Sequence, residues 1–115
     1  MFGKYLPMQC VGGMLLFLAA CSAPTPDEKG AAMLKEARYA YHHHLYDEAR
    51  DTILSLRRNY PTAIEARRQA ILLLDSIEIA AAADSLRILT GEEWERMDVK
   101  KQFFERKLQE DIKKN

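Results

Sequence analysis

The chain has 115 residues, enough for one small domain, with 17 basic residues set against 17 acidic ones. That balance leaves no global field to favour nucleic acid or an anionic membrane. Its two cysteines, Cys10 and Cys21, both precede the body of the chain, which excludes a disulfide framework or a cysteine-based zinc site there.

The N-terminal segment reads as a targeting signal. Lys4 supplies a short positive region, and Met8–Ala20 follows as an uncharged, mostly apolar run. Such a run is too short to span a bilayer core, which needs about 20 residues, but it has the length of a secretory h-region. Leu18-Ala19-Ala20-Cys21 at its end resembles the lipobox of bacterial lipoproteins. The resemblance implies cleavage before Cys21, a diacylglyceryl group on its thiol and an acyl chain on the new terminus. Several acyl chains, at ~0.8 kcal/mol per buried CH₂, hold a protein stably on a membrane. Residues 1–20 are then the signal peptide and 21–25 a lipidated tether, and Cys10 leaves with the signal. Ser22, by resemblance to lipoprotein sorting rules, points to the outer membrane. No dense acidic run follows it, so the periplasmic face is expected.

Beyond the tether the pattern is helical throughout, with no strand-like alternation. Gly30, Gly91, Pro26 and Pro61 are its only glycines and prolines. Thr25-Pro26-Asp27-Glu28, Thr62-Ala63-Ile64-Glu65 and Thr90-Gly91-Glu92-Glu93 each read as a capping box, with Thr at the N-cap and Glu at N3. Pro26 falls at N1, where a missing N–H costs nothing. The spacing predicts helices over 26–43, 46–59, 62–89 and 92–113, an all-α fold.

The stretch Met33–Pro61 resembles a tetratricopeptide unit. Tyr46-Asp47-Glu48-Ala49 matches the start of that repeat's second helix, and Ile53, Leu56 and Pro61 fall at its later apolar and proline positions. Ala37 matches the small residue where the paired helices cross. Glu36 and Ala40 stand where large residues are usual, and His44 replaces the turn glycine. Leu34 and Tyr41 are therefore expected to supply packing in the first helix. The resemblance implies a helical hairpin with a protein-binding surface, and with the lipobox it resembles small helical-repeat envelope lipoproteins. By this resemblance, residues 26–89 are expected to form a tetratricopeptide-like helical domain.

The next helix carries Ala63, Ala66, Ala70, Leu73, Leu74, Ile77, Ala81 and Ile88 on one stripe, suited to closing the hairpin. Leu72, Ile79 and Leu86 recur every seven residues on the other side, so a helix sandwiched between two partners is expected. The second partner is the charged amphipathic helix of residues 90–115, with Trp94, Met97, Phe104, Leu108 and Ile112 on a stripe interrupted by Lys101. Thr90-Gly91 is a short turn, which makes antiparallel neighbours. Residues 71–99 hold seven acids and two bases, and 100–115 hold six bases and three acids, which favours the same fold-back.

Few constellations suggest chemistry. His42-His43-His44 point about 100° apart on a helix, so they do not converge on one ion. A helix C-terminus also favours His through the macrodipole. Arg57-Arg58 and Arg67-Arg68 flank Tyr60-Pro61, either as a basic rim for lipid phosphate or an acidic partner, or as solvated helix faces. Asp84 falls within the main apolar stripe but lacks a base, nucleophile or metal beside it; pairing with a nearby Arg, or exposure past the hairpin, is expected. Phe103 lies well away from the stripe of its helix, so it is exposed or meets another chain. Neither GxSxG nor HExxH occurs. The sequence thus reads as a non-enzymatic, lipid-anchored binding or scaffolding module of the bacterial envelope. It calls for no cofactor, metal or nucleic acid. Candidate partner-binding residues are Phe103, Arg57, Arg58, Arg67 and Arg68. The alternative is a structural spacer or self-assembling coiled-coil lipoprotein, a homo-oligomer built on the C-terminal helix.

Overall fold

The computed structural model describes residues 23–115. Leu18, Ala19, Ala20 and Cys21 lie outside the described residues. The fold is all-α: α1 spans Pro26–His42, α2 Tyr46–Asn59, α3 Ile64–Leu86 and α4 Gly91–Lys114.

The helix starts follow their capping chemistry unevenly. Thr25 is extended (φ −78°, ψ 164°), and its Oγ1 accepts the Glu28 N–H at 3.2 Å, with Pro26 at N1. The expected box at Thr62 does not form. Thr62 sits in a turn, α3 begins after Ala63, and Glu65 instead accepts from Arg68 and Gln69 on its own helix. Packing decides this: Ala63 is buried beneath α1, which draws the chain in one residue past the threonine. Thr90 is the extended N-cap of α4 but makes no side-chain cap bond. Gly91 follows at φ +63°, a left-handed conformation that glycine adopts without a Cβ penalty.

Helix α3 ends earlier than its pattern suggested. The Arg87 and Ile88 N–H groups bond to Asp84 and Ser85, a tightened last turn. Ile88 therefore leaves the stripe and stands 83 % exposed. Ala82, rather than Ala81, is the fully buried alanine of that region.

The core lies where α1 and α2 meet α3. Leu34, Ala37 and Ala40 face Ala49, Ile53 and Leu56, and Ala63, Ala66, Ala70 and Ile77 close the cluster, with Tyr41 packed at its edge. Small residues let the helices approach closely. On the other side of α3 lies α4, which among the described residues packs only against α3. Its direction is antiparallel, since Lys107 reaches Asp75 and Lys100 reaches Glu78. The expected sandwich is thus present. Its outer seam is thinner than the core: Leu72, Ile79 and Leu86 on α3, and Met97, Phe104 and Leu108 on α4, are all half-buried. Trp94 and Ile112 stay exposed at the two ends of the stripe. A straight helix drifts ~20° per heptad from a 3.5-residue seam, so a stripe's ends rotate outward.

Candidate functional site

The four arginines come from two helix ends that meet at one corner of the fold. Arg57 and Arg58 occupy the last turn of α2, where cations complement the helix dipole. Arg67 and Arg68 lie just past the start of α3, where the dipole disfavours them. The chain turn at Tyr60–Ala63 brings Arg57, Arg67 and Arg68 around one cleft of about 240 Å³, completed by Ile64, Ile71 and Asn115. Arg58 is exposed and does not line it. Arg67 donates from Nη1 to the Pro61 carbonyl at 2.8 Å, which ties its guanidinium to the turn. Its Nε is shut away from solvent without a partner. Arg68 makes a long contact to Glu65 at 3.3 Å.

Phe103 stands apart from this cluster. It is 52 % exposed and meets Phe104 edge-on, with ring centroids 5.1 Å apart. It borders a shallow groove with Arg106, Lys107, Glu110 and Lys114. The sequence-derived candidates therefore form two separate places, a cationic cleft and an aromatic patch on α4.

A third concavity lies between α1 and α3. Its volume is about 540 Å³, and Asp27, Ala31, Leu34, Arg38, Glu65 and Gln69 are among its lining residues. Arg38 donates to the Gln69 side chain across it. Apolar floor and polar rim combine here, as binding grooves require.

The histidines diverge onto different tyrosines. His43 stacks at 4.1 Å from Tyr39, His42 lies 5.3 Å from Tyr41, and His44 Nδ1 is 2.8 Å from the Tyr46 hydroxyl. Among the described residues no group of three or more His, Cys, Asp or Glu side chains is placed to hold a metal ion. Asp84 pairs with Arg87 at 2.8 Å and is partly exposed.

Two buried charge clusters were missed in the sequence. Asp75 is fully buried at the α3–α4 seam, and Lys107 bridges it at 3.0 Å and Asp111 at 2.7 Å. Burial, with Asp111 nearby, pushes the Asp75 carboxyl up to about 6, against the pull of Lys107. Asp111 is held low by its bonds to Asp75 and Lys107. Glu78 is nearly buried and joins three helices, accepting from Arg50 Nε at 2.7 Å and lying 3.6 Å from Lys100. Burial opposes the charge on Arg50, but its bonds to Glu78 and Asp47 outweigh it and raise the pKa. Asp75 falls between Leu72 and Ile79, on the row that faces α4.

No protein family, curated protein or solved structure matches this chain. No described helix is long and apolar enough to cross a membrane.

Proposed function

We propose that this chain is a non-enzymatic binding or scaffolding module, held by lipid on Cys21 at the periplasmic face of the bacterial outer membrane. It contacts a partner protein through its tetratricopeptide-like helical surface. The observation that carries the reading is the open groove between α1 and α3, which joins an apolar floor at Leu34 and Ala66 to the polar rim of Asp27, Arg38 and Glu65. The lipobox pattern Leu18-Ala19-Ala20-Cys21 supports the anchor.

Site-specific photo-crosslinking in intact cells tests it. A photoreactive residue at Ala31 or Glu65, both exposed in the groove, should give one discrete heavier species. The same residue at Asp51, exposed on α2, should give none. Equal labelling from all three positions would overturn the groove. Replacing Cys21→Ala should abolish lipid labelling; labelling that persists would overturn the anchor.

A second reading, a self-assembling helical lipoprotein, draws on Val99 and Phe103. They are exposed one helical turn apart on α4. A crosslinked product from position 103 at twice the chain mass would favour it.

A further inference from the structure

The cationic cleft lies at the same end of the molecule as the tether. Asp27, in the first turn of α1, shares a groove with Thr62 and Ala63, and Gly30 packs directly on Ala63. The chain thus enters α1 beside the start of α3, where α2 ends at Asn59 and where Asn115, after α4, lines the cleft. From Cys21 to Pro26 an extended chain reaches at most about 18 Å.

Charge is polarised along the same axis. Arg57, Arg58, Lys113 and Lys114 close α2 and α4 at the tether end, and Asp47, Glu48, Glu92 and Glu93 open the same helices at the far end. Helix dipoles account for those eight. They do not account for Arg67 and Arg68, cations near the N-terminus of α3, where Glu65 is the only acid in the first turn. Asp27 at the start of α1 lines the neighbouring groove and not the cleft. Among the described residues Arg57 forms no ion pair, and the cleft leaves Ile64 and Ile71 exposed beside the guanidinium groups.

We propose that Arg57, Arg67 and Arg68, with Ile64 and Ile71, form a docking surface for the phosphate headgroups of an anionic lipid bilayer. The exposed guanidinium forks of Arg57 and Arg68 match phosphate oxygens in a bidentate manner, and Arg67, held to Pro61, adds its charge beside them. The two isoleucines suit the boundary between headgroup and acyl chain, where amphipathic surfaces settle. The orientation relative to the membrane rests on the lipid-anchored reading; the affinity of the cleft for lipid phosphate does not. Docked this way, the module stands on its basic end and presents the α1–α3 groove sideways.

Residues 23–115 contain every core residue of the fold, so this unanchored part is the material for the test. Co-sedimentation compares vesicles of phosphatidylcholine with vesicles containing phosphatidylglycerol. Binding to the second only is expected. The double variant Arg57→Gln/Arg68→Gln leaves the Arg67–Pro61 bond in place and should bind about 30-fold more weakly, the loss of two cations from an anionic surface. The charge-matched control Arg87→Gln/Arg96→Gln, at the far end, should bind as the parent does. Circular dichroism checks that both variants remain helical. Equal loss in the two variants, binding to both vesicle types alike, or binding to poly-glutamate without vesicle binding would overturn the proposal. Lipid labelling of Cys21 in cells reports on the anchor separately, so failure of either idea is visible without the other.

Discussion

Lys107 reaches across from α4 to place its ammonium 3.0 Å from a carboxylate oxygen of Asp75, a residue with no exposed surface. The second oxygen of that carboxylate is buried without a partner. This contact makes the fold-back of α4 sensitive to pH. The Asp75 carboxyl titrates near 6, above its unfolded value of 3.8, so the folded state binds a proton more tightly between those values. Stability from this group therefore grows as pH falls from 7 toward 4 and is lost as pH rises through 6. Asp111, held low, acts in the opposite sense, its contribution fading as pH falls through its depressed value. Asp75→Leu should raise the melting temperature at pH 7 and flatten its change between pH 4 and 6. Lys107→Ala should lower it by the equivalent of about 1.5–3 kcal/mol, because it removes the charged hydrogen bond of the buried Asp75 carboxylate. Thermal melts across that pH range check both.

Gly30 is a point of close approach between α1 and the start of α3. A Cβ there would stand 2.6 Å from the Cβ of Ala63, closer than real contacts allow. Alanine is the better helix former by ~1 kcal/mol, yet Gly30→Ala should destabilise by about 1–3 kcal/mol through overpacking. Adding Ala63→Gly should recover part of that loss. Denaturant melts of the four variants in the cycle provide the measurement; a stabilising Gly30→Ala would rule out the close approach.

The sequence carried the helices and the two-sided character of α3, because apolar periodicity directly encodes which faces seek cover. Leu72, Ile79 and Leu86 announced α4 as a partner, and they are half-buried on the seam it covers. Periodicity is blind to what sits between such residues. Asp75 and Glu78 looked like ordinary helix-surface acids, and only the arrival of Lys107, Arg50 and Lys100 from other helices explains their burial. Thr62 misled for a related reason: a local capping motif lost to the tertiary burial of Ala63. The pairing of Arg57 with Arg67 and Arg68 about Tyr60-Pro61 was legible, but that Arg58 stays outside their cleft depends on the angle of the Tyr60–Ala63 turn.

His44 holds a left-handed backbone, φ 61°, at the α1–α2 turn. A side chain there costs roughly 1–2 kcal/mol, offset in part by its hydrogen bond to Tyr46. His44→Gly should stabilise the domain by about 0.5–1 kcal/mol after the extra unfolded-state entropy of glycine is counted. Chemical denaturation at pH 7 decides the sign, and a loss of stability would mean the Tyr46 contact outweighs the strain.

Deleting residues 92–115 removes the only described cover on one side of α3. It uncovers Leu72, Ile79 and Leu86, and strips Lys107 from Asp75 and Lys100 from Glu78. Full exposure of a large apolar side chain forfeits roughly 1.5–3 kcal/mol; these three are already half-exposed, so the hydrophobic loss is the lower part of that range for each. The core between α1, α2 and α3 stays intact, so the remainder should keep its helices but melt earlier and pair or aggregate through the bared row. Analytical ultracentrifugation and thermal melts of residues 23–91 against 23–115 read both effects. A truncated chain that stays monomeric with an unchanged melting temperature would show that α4 contributes nothing to the fold. In that case α4, with Val99 and Phe103 exposed one turn apart, would be free to serve another chain.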